Sequence, residues 1–136
     1  MQAVIDRLLD SEEPCVRFKA RVNALGEDRE SEFIRQLQID IEGSPRVRAL
    51  LSERTPDGKL PYDPYAQWYG PHWVLVTLAD IGYHPGDTSL LPLREQVLEH
   101  WLSPEHIDNL PVINGRIRVH ASQEANALFS LLSLGP

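Results

Sequence analysis

Five histidines, one cysteine and twenty acidic side chains are the raw material for chemistry in this 136-residue chain. Only one stretch gathers metal-ligating types, with His100, Glu105, His106 and Asp108 close together. Their spacing matches neither the HExxH pattern nor paired ligands on facing helices, and the end of an outer helix is a solvated place, so no metal centre is expected there. Cys15 has no second cysteine to pair with, and among apolar neighbours it reads as a small buried hydrophobe. The chain has neither a glycine-rich phosphate cradle nor a nucleophile elbow, so no cofactor is expected.

The overall balance narrows the choice of partners. A formal net charge of −7 argues against nucleic acid and anionic membranes, which need a basic surface. Met1 to Arg7 does not have the layout of a signal peptide, and no run approaches the roughly 18 apolar residues of a membrane span. With 42% hydrophobic residues the chain can bury a core of its own. A soluble, cytoplasmic, single-domain protein over residues 1–136 is expected.

What must position any chemistry is a set of helices. Pro71 to Ile81 is apolar almost throughout, and a helix apolar on every side has to be covered on every side. Pro71 suits a first helical turn and Gly82 a left-handed stop. Upstream, residues 2–9 form a short entry helix with Val4, Ile5, Leu8 and Leu9 on one side. Ser11-Glu12-Glu13-Pro14 then opens a second helix that turns Cys15, Val16, Phe18, Val22 and Leu25 inward and closes at Gly26. Residues 29–42 form an outer helix with a Phe33, Ile34, Leu37, Ile41 stripe, and a short helix follows Pro45. Residues 55–64, rich in proline and turn residues, form a loop. Leu90, Leu93, Val97, Leu98, Trp101 and Leu102 give residues 88–102 an apolar face. Asn114-Gly115 between alternating residues allows a small hairpin, and 120–134 is an inner helix ending at Gly135.

These elements repeat. Three inner helices end at Gly26, Gly82 and Gly135, spaced 56 and 53 positions apart. Four residues before each glycine stands Val22, Leu78 or Leu131, and eight before stands Phe18, Val74 or Ala127. After Gly26 and Gly82 come a polar turn and an amphipathic outer helix.

Four pieces carry a likeness to a known superfamily. They are Pro14-Cys15-Val16-Arg17-Phe18, Pro45 to Leu51, Pro56-Asp57-Gly58 with Tyr69-Gly70-Pro71-His72-Trp73, and Arg118-Val119-His120-Ala121-Ser122-Gln123-Glu124. In that order the chain resembles the α/α toroids of squalene cyclases and protein prenyltransferases, and more closely the bacterial prenyltransferase or squalene-oxidase repeat proteins of uncertain role. The resemblance implies an all-α, α/α-toroid-like fold of helical hairpin repeats. A full toroid has about twice as many helices, so the chain would match an N-terminal portion. The family's Gln…Gly-x-Trp hallmark survives only as Pro56-Asp57-Gly58-Lys59-Leu60, and neither a DxDD acid nor an Asp/Cys/His zinc site is present.

In such toroids ligands sit where the inner helices begin. The resemblance therefore points to Trp68, His72, Trp73, His120, Gln123 and Asn126 as candidate ligand-binding residues, with no catalytic residue identified. Two functions follow. One is an enzyme-like toroid whose cavity takes an apolar, isoprenoid-like molecule. The other is a non-catalytic module that binds a protein partner or itself, which the missing acid favours. If the third repeat unit is cut in half, Leu128, Phe129, Leu131 or Leu132 should be left partly exposed, and self-association through this C-terminal edge is expected.

Overall fold

The computed structural model describes residues 1–135, and among them the regular secondary structure is helical apart from one two-stranded hairpin. Helix α1 spans Gln2–Leu9 and α2 spans Pro14–Lys19, the latter running directly into a π-helical turn over Ala20–Ala24. Next come α3 (Glu32–Glu42), α4 (Pro45–Leu51) and α5 (Pro71–Ile81). A 3₁₀ turn at Thr88–Leu90 leads into α6 (Leu91–Trp101), followed by α7 (Pro104–Asp108). Strands β1 (Val112–Ile113) and β2 (Arg116–Ile117) pair antiparallel, Val112 opposite Ile117, and α8 (Ala121–Leu134) completes the order.

Helix boundaries follow local capping chemistry. Ser31 and Ser44 accept the backbone N–H of Ile34 and Val47, satisfying donors that a helix start otherwise leaves orphaned. The outer helix therefore begins at Glu32 rather than at residue 29. Ser11 does not cap α2: its hydroxyl accepts the Glu13 N–H in the turn before it, and the helix starts at Pro14. The expected helix over residues 14–25 is also not regular to its end. Its last turn widens to π geometry, with the Leu25 N–H reaching the Ala20 carbonyl, and Leu25 is left exposed instead of inward.

Helix α5 is central. It packs against α2, α4, α6 and α8, while α3 lies against α2 and α6 also touches α8. Leu75 and Leu78 have no exposed surface, and Val74, Ile81, Phe18, Ile34, Leu37, Ile41, Leu93 and Val97 complete the core around them. Coverage is not complete on every side, since Val76, Thr77 and Ala79 are half-buried and Asp80 is exposed. The three repeat glycines all adopt positive φ, at 70°, 86° and 53° for Gly26, Gly82 and Gly135. Their counterparts eight residues earlier, Phe18, Val74 and Ala127, are all buried.

Several apolar residues face outward. Val4 and Leu8 of α1 are exposed, as is Phe33, whose ring lies 4.3 Å beneath the Arg21 guanidinium. On α8, Ala127, Ser130 and Leu134 are buried, whereas Leu128, Phe129 and Leu132 are exposed and Leu131 is half-buried. No helix among the described residues is long and apolar enough to cross a membrane.

Candidate functional site: an aromatic and histidine nest

The beginning of α5 is wrapped by the loop that precedes it. The Gly70 N–H donates to the Ala66 carbonyl and the His72 N–H to that of Pro64, so residues 63–66 fold back over the helix start. Approach is close enough that a Cβ on Gly70 would lie 2.6 Å from the Asp63 carbonyl oxygen, which explains why a residue without a side chain stands there. The wrap lays Tyr65 over the first turn of α5. Its ring centroid is 4.9 Å from that of His72 and 5.6 Å from that of Trp73.

His72 is the centre of the nest and has no exposed surface. Its Nδ1 accepts the indole N–H of Trp101 at 3.2 Å, which places the proton of the neutral ring on Nε2. That Nε2 is buried with no hydrogen-bond partner among the described residues, and so is the indole nitrogen of Trp73. Desolvation pushes the His72 pKa down from its ordinary value to about 4, with the nearby His100 adding to the shift. At neutral pH the ring is therefore uncharged, and its free polar atom is a donor.

Around this centre the aromatic contacts continue. Trp101 meets Tyr65, His100 and His106 edge-on at centroid distances of 5.5, 4.9 and 4.9 Å. The His100 pKa is lowered by burial, opposed by the charge of Asp63 and reinforced by that of His106. His106 Nε2 lies 3.8 Å from a Glu124 oxygen, tying α7 to α8, and the other Glu124 oxygen is buried without a partner. Among the described residues no group of three or more His, Cys, Asp or Glu could hold a metal ion.

Trp68 closes the outer side. It is 69% exposed, its ring centroid is 4.7 Å from that of Trp73, and its φ is +76°. Left-handed backbone on a bulky residue costs about 1–3 kcal/mol and is concentrated at ligand clamps and switch regions. The loop thus holds an indole at the surface in a conformation that its own sterics disfavour.

Of the residues that the sequence singles out, the nest brings together Trp68, His72 and Trp73. His120 is exposed, and Gln123 and Asn126 are half-buried on α8 with no side-chain hydrogen bond among the described residues. Tyr65, His100, Trp101, His106 and Glu124 are the members that sequence reading does not place at the site. Trp101 had an available signal, since it is the one tryptophan on an otherwise aliphatic helix face. His100 is half-buried against it. All three tryptophans of the chain, Trp68, Trp73 and Trp101, belong to this one nest.

Comparison of the chain with protein-family models, with curated proteins and with solved structures gives no match.

Proposed function

We propose that this chain is a non-catalytic binding module of toroid-like helical repeats, and that the nest receives an apolar molecule bearing an acceptor oxygen, such as an isoprenoid-like alcohol. The observation that carries this reading is the pairing of a strained, exposed Trp68 with Trp73 and His72 behind it, whose ring N–H groups are buried without partners. An unpaired buried donor costs about 1–3 kcal/mol, so an oxygen supplied to either would be favoured, while the indole and phenol faces offer apolar area. Binding rather than acid–base catalysis is favoured because a His72 with a pKa of about 4 and Nδ1 already occupied has no base function at neutral pH. In support of the toroid-like arrangement, α2, α5 and α8 pack side by side in order, with α3 and α6 against the first two.

The test uses the tryptophans themselves, because every indole in the chain lies in the nest. Titration with farnesol should change the intrinsic fluorescence saturably, and Trp68→Ala should weaken the apparent affinity about tenfold or more. Linear, non-saturating quenching identical in the variant would refute a site in the nest.

A second reading rests on α8, where Leu128, Phe129 and Leu132 are exposed at 59%, 46% and 72%. Glu124 is the one charged residue of this helix, so two copies could meet along it without burying like charges. Here a homodimer is proposed. Light scattering over a concentration series should give a dimer mass for the wild type and a monomer for Leu132→Glu. A monomeric wild type at high concentration would sink this second reading.

A further inference from the structure

A cavity lies at the opposite end of the inner helices from the nest. It encloses about 540 Å³ between the π-helical turn, α3, the end of α5 and α8, within the range of small-molecule sites. Phe18, Ala79 and Phe129 supply apolar wall, and Asn23, Arg29 and Ser133 supply polar groups that make no side-chain hydrogen bond among the described residues.

Charge selects what this cavity can hold. Three cations line it, but Lys19 is 2.8 Å from the Asp80 carboxylate and Arg35 is 2.7 Å from that of Glu30. Arg29 has no carboxylate partner among the described residues, and its guanidinium carbon stands 6.0 Å from the centroid of the Phe18 ring. One cation is thus left over, beside an aromatic wall, in a chain that is otherwise strongly acidic. A planar guanidinium matches a carboxylate with two parallel hydrogen bonds. The π-helical turn carries Asn23, which lines the cavity, and such turns recur at functional sites.

We infer that the cavity formed by Phe18, Arg29, Ala79 and Phe129 binds a monoanionic carboxylate with an apolar body, such as a medium-chain acyl group. The carboxylate pairs with Arg29, with Asn23 and Ser133 within the same lining, and the chain lies along Ala79 and the exposed ring of Phe129, above the buried edge of Phe18. A single unpaired cation fits a single negative charge and leaves a diphosphate undercompensated. This site is independent of the nest, because no tryptophan lines it.

Amide chemical shifts followed during titration with sodium octanoate provide the test. Saturable shifts are expected at Asn23, Gly82 and Ser133, with tryptophan fluorescence unchanged and about tenfold weaker binding in Arg29→Ala. Arg29 is exposed, so the variant should fold normally. Octyl glucoside, which carries the same chain without the charge, should not reproduce the shifts. Octanoate shifts confined to Leu128 and Leu132, equal effects of octyl glucoside, or undiminished affinity in Arg29→Ala would each overturn the proposal.

Discussion

The ring of Phe18 packs so closely on the α-carbon of Gly82 that an added Cβ would lie 2.3 Å from its Cε1 atom. This contact joins the second helix to the end of the central one, and it sits on a residue with φ of +86°. Gly26 has the matching position in the first repeat and nearly the same backbone, φ of +70°, yet a Cβ there would meet nothing within 4 Å. Gly26→Ala should therefore show only the left-handed penalty of about 1 kcal/mol. Gly82→Ala should add overpacking and lose about 3 kcal/mol in all. Urea denaturation of the two variants checks this, and equal losses would mean that Phe18 can move aside at little cost.

Leu78 and Leu132 are both leucines of inner helices and differ in burial. Leu78 has no exposed surface, whereas Leu132 is 72% exposed. Leu78→Ala is expected to lose about 2–5 kcal/mol, the range for a fully buried leucine. For the isolated chain Leu132→Ala should stay within about 0.5 kcal/mol. A loss below about 1 kcal/mol for Leu78→Ala would remove α5 from the centre of the fold.

His72 makes stability depend on pH in a definite direction. Its folded pKa of about 4 lies below the unfolded value near 6.5, so between these values the unfolded chain binds the extra proton. Stability is unaffected by this group above pH 6.5 and falls as pH drops toward 4, by about 3 kcal/mol in total. His100, shifted down less strongly, acts in the same sense. His72→Phe removes the proton-binding site, so the slope of unfolding free energy between pH 6.5 and 4 should become shallower than in wild type. Parallel slopes would show that His72 is not the group responsible.

Much of the helical framework is legible in the sequence because helices are specified locally. The 3.6-residue spacing of Ile34, Leu37 and Ile41, Pro71 at a first turn, and Gly82 with its left-handed backbone are readable one turn at a time, and the structure places α3 and α5 accordingly. Asn114-Gly115 likewise specifies its hairpin, with both residues at positive φ. Where local signals compete, reading fails by a few residues: Ser11 and Ser31 are equally good caps by type, and only Ser31 closes onto a helix N–H.

Tertiary structure alone decides which side chains meet. Tyr65, His72, Trp101, His106 and Glu124 come from a loop and four helices, and no period or spacing links them, because their proximity is created by α5 packing against both α6 and α8. The same packing divides α8. Leu134 and Leu132 have the same side chain on one helix, yet α5 and its neighbours bury the first and leave the second in solvent. Burial is a property of what lies opposite a residue, and a sequence pattern specifies only the face on which that residue stands.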